Sequence, residues 1–316
     1  MLACLLALMS SALLSATGNP LPALLKELPQ GLGELAGKAE HEVQILYTAI
    51  DRKNDGTPVF TTHSWQLDDR FYFYPASTVK FPAALAALEK KNALARTNPE
   101  LDGNSVMLTD QSETWQTAVT EDPSATNGLP SLNHYIRKIF LVSDNDAFNR
   151  LFEFVGYEEM NGSLRSKGMT GCSIIHRLAL KREKHHGRYA NPIRFLRGNE
   201  VLCQLPARVG SSSEEHGQIV RRGVGYFSGG QLIPDPMDFS QSNFYPLTAQ
   251  QECLKRLVFP AAYGPTERFE LTPEDRQLVL DAMGRFPGES TSPVYPRERY
   301  PDSYTKMLGF GAGTDP

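Results

Sequence analysis

The sequence predicts an α+β fold of the α/β sandwich type, with a helical lobe inserted into a sheet-bearing, antiparallel lobe. Two observations predict it. Residues 42–74 are rich in β-branched and aromatic types around a turn signal, and from Ser77 onward helical periodicity takes over. A third agrees with them: 25 glycines and 22 prolines leave room for many loops between the elements. The 316 residues suffice for one large domain or two modest ones. Hydrophobic residues at 41% and charged residues at 22% are an ordinary globular mix, which excludes a largely disordered chain and a multispan membrane protein. The net charge is -4, without a basic block, so neither a nucleic acid nor an anionic membrane is an expected partner.

The elements follow in order. Leu2 to Leu14 is almost wholly apolar and ends in small residues at Ser15–Gly18, so residues 1–18 are expected to be a secretory signal peptide and the mature protein to be exported to the periplasm or cell envelope. Residues 19–40 read as a short helix with a linker, and residues 41–316 as one domain. Glu42–Ile50 and Val59–Thr62 flank Asn54-Asp55-Gly56 and predict a hairpin. Phe71–Tyr74 is expected to be a short aromatic strand. Ser77 to Lys91 reads as a helix whose centre, Ala83–Leu88, is apolar on every side and therefore buried, with an irregular first turn at Pro82.

Ser131 is placed to cap a helix carrying Leu132, Ile136, Ile139 and Phe140 on one stripe. A break at Ser143-Asp144-Asn145 precedes a second amphipathic helix that stops at Gly156. Residues 185–245 read as an inserted loop or hairpin region. Thr248 with Gln251 forms a capping box for a helix to about Val258, and Thr272-Pro273-Glu274 starts another that stops at Gly284. Of the cysteines, Cys4 lies in the leader, and Cys172, Cys203 and Cys253 are either three thiols or a disulfide plus one thiol.

The segment Ser77-Thr78-Val79-Lys80 carries the chemistry. Residues three apart share a helix face, so the Lys80 amine can reach the Ser77 hydroxyl. A serine becomes a nucleophile when a base takes its proton, and a lysine can be that base where burial favours its neutral form. A helix start also favours developing negative charge. A helix cap is the plain alternative for Ser77. A second Ser-x-x-Lys, Ser303 to Lys306, sits among prolines with no apolar helix after it and is a chance match. Ser143-Asp144-Asn145, which begins 66 residues after Ser77, offers a hydroxyl, a carboxylate and an amide at a helix break, where capping is again the plain alternative.

With Ser77-x-x-Lys80 followed by Ser143-Asp144-Asn145, the sequence resembles the penicillin-recognising serine enzymes, closest to class A β-lactamases. A Gly-x-x-x-x-x-x-Ile-x-Arg-Leu stretch from Gly168 to Leu178 agrees. The resemblance covers residues 40–180 well and 246–285 loosely. It implies a β-lactamase/transpeptidase-like fold and an acyl-enzyme on Ser77, with Lys80 as base, Ser143 as proton relay to the leaving nitrogen, Asn145 orienting Lys80 and the substrate amide, and Asp144 holding the loop. It implies a small-molecule β-lactam or a peptidoglycan-derived substrate, no cofactor, no metal and a monomer.

Two departures stand out. No Lys-Thr-Gly or Lys-Ser-Gly strand motif occurs, so the C-terminal strands are expected to be missing through truncation of the chain. Where class A enzymes have Arg-x-Glu, this chain has Arg177-Leu178-Ala179, with Glu183 four residues further on. That departure implies slow deacylation, hence the alternative of a penicillin-binding sensor or an inactive binding relative.

Other constellations fail. There is no Gly-x-Ser-x-Gly elbow, and His41-Glu42 lacks the second histidine of a zinc protease. His176, His185 and His186 read as solvated surface in a basic loop.

Overall fold

A computed structural model describes residues 18–29, 31–180, 186–211 and 213–304. The chain divides into two compact units, residues 1–71 and 72–316. The expected leader, residues 1–18, lies outside the described residues except for Gly18.

The first unit holds two short helices, α1 (Leu21–Glu27) and α2 (Leu32–Gly37), and an antiparallel hairpin of β1 (Ile45–Arg52) with β2 (Pro58–Trp65). The register runs from Ile45 opposite Trp65 to Arg52 opposite Pro58. The turn is where the sequence puts it. Asp55 Oδ1 accepts the Thr57 N–H at 2.9 Å, and Gly56 has φ 82°, a region that disfavours a residue with a Cβ.

In the second unit the expected aromatic strand is absent. Phe71 to Tyr74 is irregular. Its alternation is real: Tyr72 is 3% exposed while Phe73 is 52% exposed. No neighbouring strand pairs with it, however. Tyr72 is held instead by its hydroxyl, which donates to Asn243 O at 3.0 Å, and by the rings of Phe239 and Phe244. Period two predicts which side chains are buried, but a strand also needs a ladder partner.

The core is built round α3 (Lys80–Ala95), in which every residue from Ala83 to Leu88 is 0–3% exposed. Small alanines let neighbouring helices approach closely, and Leu85 and Leu88 fill the space between them. Those neighbours are α4 (Leu132–Leu141), α5 (Asn145–Val155) and α6 (Tyr157–Ser166). Their apolar stripes supply Ile136, Phe148, Leu151, Phe152 and Met160 to the same core. The Ser131 hydroxyl caps α4 by accepting the His134 N–H, as expected. Gly156, with φ 85°, ends α5 and leads straight into α6.

A three-stranded antiparallel sheet orders β3 (Val106–Thr109), β5 (Ile193–Arg197) and β6 (Glu200–Leu205), with the two-residue β4 (Tyr189–Ala190) preceding β5. Of the two forms expected for residues 185–245, loop or hairpin, the first part takes the hairpin, with Ile193 and Phe195 fully buried. The rest pairs only in short ribbons: β7 (Arg208–Val209) with β4, β8 (Arg221–Arg222) with β11 (Met237–Asp238), and β9 (Tyr226–Ser228) with β10 (Gln231–Ile233).

Two helices follow, α7 (Leu247–Val258) and α8 (Pro273–Gly284). Thr248 is not the N-cap of α7. The cap stands two residues earlier, at Pro246, so Thr248 lies inside the first turn. The start of α8 is as expected, with Thr272 and Asp275 capping each other's backbone. Among the described residues Cys172, Cys203 and Cys253 form no disulfide with one another. The molecule is thus an α+β protein of mixed helices and antiparallel sheets.

Candidate active site

Ser77 and Lys80 are presented by a change of helix type. Ala76–Val79 is a turn of 3₁₀-helix, and the α-helix starts at Lys80. Side chains three apart eclipse one another in a 3₁₀ turn, so Ser77 stands directly over Lys80. Pro82 falls at the third position of α3, where a missing N–H costs no intrahelical bond. Its first-turn effect is the irregular entry that the sequence suggested. Ala76 has φ 45°, a left-handed conformation rare for an alanine, and it aims the chain into this turn.

The other half of the site comes from the break between α4 and α5. Ser143 has φ 55°. That conformation turns both its carbonyl and its hydroxyl toward the lysine. Asp144 caps α5, its Oδ1 accepting the Ala147 N–H at 2.8 Å. Asn145 is the first residue of that helix, and its amide oxygen lies 2.7 Å from Lys80 Nζ.

Lys80 is 3% exposed. Four oxygens of the described residues surround its Nζ: Ser143 O at 2.6 Å, Asn145 Oδ1 at 2.7 Å, Ser143 Oγ at 2.8 Å and Ser77 Oγ at 3.0 Å. A carbonyl and an amide oxygen can only accept, whereas a hydroxyl can also donate. A neutral amine has two N–H groups and one lone pair. Two N–H groups suit the two obligate acceptors, which leaves the lone pair for a hydroxyl. The arrangement accommodates an ammonium, whose third N–H a hydroxyl accepts, as well as a neutral amine able to take a proton from Ser77 or Ser143. Among the described residues no acceptor takes the Ser77 backbone N–H.

A second layer steadies the break. Lys138, on α4, is 2.9 Å from Asp122 Oδ2 and 3.8 Å from Asp144 Oδ2. Burial pushes the Asp122 carboxyl up, but hydrogen bonds from His134, Ser124 and Lys138, with the Lys138 charge, outweigh it and hold the carboxyl well below its ordinary value. The Tyr304 hydroxyl donates to Val142 O at 3.5 Å, next to Ser143. Nothing in the sequence marked Asp122, Lys138 or Tyr304, because each acts through a partner distant in the chain.

The five residues expected at the site thus divide in two. Ser77, Ser143 and Asn145 converge on Lys80, while Asp144 faces the backbone of α5 and Lys138. Ser303 of the second Ser-x-x-Lys is exposed, and Lys306 lies outside the described residues.

The profile of the beta-lactamase enzyme family matches residues 32–201, more than half of the chain. The protein belongs to the beta-lactamase enzyme family. No curated protein matches it. Among solved structures it is similar to a beta lactamase from Xanthomonas campestris pv. campestris str. ATCC 33913, at 17% identity over 83% of this chain and 69% of that chain, with a TM-score of 0.36.

In this beta-lactamase-family chain the loop after Cys172 is held by three asparagines acting as backbone mimics: Asn161 accepts the Ile174 N–H at 2.8 Å and donates to Ile174 O at 2.9 Å, and Asn149 and Asn243 act likewise. Asn149 accepts the Leu178 N–H at 2.8 Å and donates to Leu178 O at 3.0 Å. Asn243 accepts the N–H groups of Ile175 and His176 at 2.8 and 3.1 Å. Arg177 is buried in an ion pair with Glu153 at 2.7 Å, and Glu153 also meets Arg150 at 2.8 Å. Ala179, with φ 56°, occupies the place where the family resemblance implies a glutamate, and Glu183 lies outside the described residues.

The histidines correct an expectation. His176 is buried, not solvated: its Nδ1–H donates to Arg177 O at 2.6 Å and its Nε2 accepts the Asn243 N–H at 3.0 Å. His186 stacks on Trp115 at 3.8 Å, and His185 lies outside the described residues. Among the described residues no three His, Cys, Asp or Glu side chains gather into a metal-holding group.

Proposed function

We propose that the protein is an exported serine hydrolase that works through a Ser77 acyl-enzyme on a β-lactam or a peptide-like amide. The observation that carries this reading is the convergence of Ser77, Ser143 and Asn145 on the buried Lys80 amine. In the proposed reaction Ser77 Oγ attacks the carbonyl carbon while the Lys80 lone pair takes the hydroxyl proton. The oxyanion forms against the Ser77 backbone N–H at the helix start. The Ser143 hydroxyl passes a proton to the leaving nitrogen, the C–N bond breaks, and an ester on Ser77 remains for water to hydrolyse. Asn145 holds the amine and the substrate amide in line. The expected leader at residues 1–18 supports export, and residues 41–316 would form the hydrolase domain.

A second reading rests on one position. With Ala179 where a water-activating carboxylate would stand, the ester would be cleared slowly, and the protein would act as a penicillin-binding sensor that acylates without efficient turnover. Incubation with a fluorescent penicillin tests the nucleophile: wild type is expected to label and Ser77→Ala not to. Equal labelling of the two, or none in either, would overturn the assignment. Intact-mass measurement after drug removal separates the readings, since a sensor keeps the adduct for hours and a hydrolase loses it.

A further inference from the structure

A cavity of about 720 Å³ lies between α4 and α8, and the residues lining it include none of the Ser77 site. On one face of α4 it meets Arg137 and Leu141, four residues apart; on one face of α8 it meets Leu278 and Ala282, with Arg285 just past the end of that helix. Arg137 is half-buried and makes no hydrogen bond or ion pair with any described residue. Burial and the nearby Arg285 both disfavour its charge, yet a guanidinium stays charged at any ordinary pH. Arg285 has only a long contact, 4.0 Å, to Asp281, whose carboxylate already accepts from Gln277 at 2.7 Å. Thr291 brings a hydroxyl to the same cavity. Two under-paired guanidiniums in a partly apolar cavity are a recognition pattern for a planar anion.

We propose that this cavity binds an organic carboxylate, with Arg137 and Arg285 taking the carboxylate and Leu141, Leu278 and Ala282 taking its apolar body. The apolar wall favours an organic acid over inorganic phosphate. Asp281, and Glu274 about 10 Å nearer the start of α8, line the same cavity and oppose multiply charged anions more strongly than a monoanion. A free small acid and a peptide C-terminus share this chemistry.

Titration calorimetry on the whole protein tests the site, with sodium hexanoate as the probe. Hexanoate is expected to bind with a Kd of about 1 mM. Hexanamide, which lacks the charge, is expected to bind at least about tenfold more weakly, as is hexanoate to Arg285→Gln or Arg137→Gln. Arg285 is exposed, so its variant reports on binding without endangering the fold. Tighter binding of N-acetyl-leucyl-leucine than of hexanoate assigns the site to peptide termini, and weaker or equal binding assigns it to free acids. No heat at about ten times the expected Kd, equal binding of acid and amide, or unchanged binding to Arg285→Gln overturns the proposal.

Discussion

The donors and acceptors at Lys80 set what single substitutions should do. Lys80→Met keeps most of the buried volume but removes the nitrogen that Ser77, Ser143 and Asn145 share. Penicillin labelling of Ser77 is expected to slow by about 10³ in this variant, the usual scale for a lost general base, while the circular dichroism spectrum stays unchanged. Labelling at the wild-type rate would remove Lys80 from the chemistry. At this scale the sequence was informative. Residues three apart on a helix start and a polar triplet at a helix break were both visible, because local spacing dictates them. The left-handed φ of Ser143, which points its carbonyl at the lysine, was not visible, since no composition signal distinguishes it from an ordinary cap.

Among the elements, α5 is the one whose start decides where Asn145 stands. Asp144 accepts the Ala147 N–H at that start, so Asp144→Ala should cost about 1 kcal/mol of stability in a urea titration. It should also slow labelling more than its small stability cost explains, because the first turn carrying Asn145 frays. An unchanged midpoint would mean that Lys138 and the core, not the cap, fix the turn. Periodicity predicted α4 and α5 well, because each has an apolar stripe and a side-chain cap, whereas α8 was marked by its Thr272 cap and its stop at Gly284. Periodicity failed at Phe71–Tyr74 and left Ile193–Phe195 as loop or hairpin. Whether an extended segment becomes a strand depends on a partner, and Ile193–Arg197 has one close by in β6 and another, β3, 84 to 90 residues upstream.

For the whole molecule, charge pairing makes a pH prediction. The Asp122 carboxyl titrates well below its ordinary value of 3.8 in the folded state, for the reasons given by its partners. Its stabilising contribution is therefore complete above about pH 4 and is lost as pH falls from there toward the folded value. The melting temperature should drop over that window, and Asp122→Asn should melt lower at neutral pH with a shallower acid decline. Parallel acid profiles in the two proteins would place the acid sensitivity elsewhere. Such long-range pairs, like Arg177 with Glu153, were beyond the sequence, because charge sign alone does not choose a partner.

The burial of α3 has a consequence for how the protein is lost. Ala83 to Leu88 have almost no exposed surface, and helices pack around them, so no small excursion uncovers their backbone. Deuterium should enter the amides of Leu85 and Leu88 only when the entire 72–316 unit opens. Ser77, the proposed nucleophile, sits on the 3₁₀ turn that leads into that slow-exchanging segment, so its labelling competence and the exchange protection of α3 should vanish together on warming, in one transition rather than two.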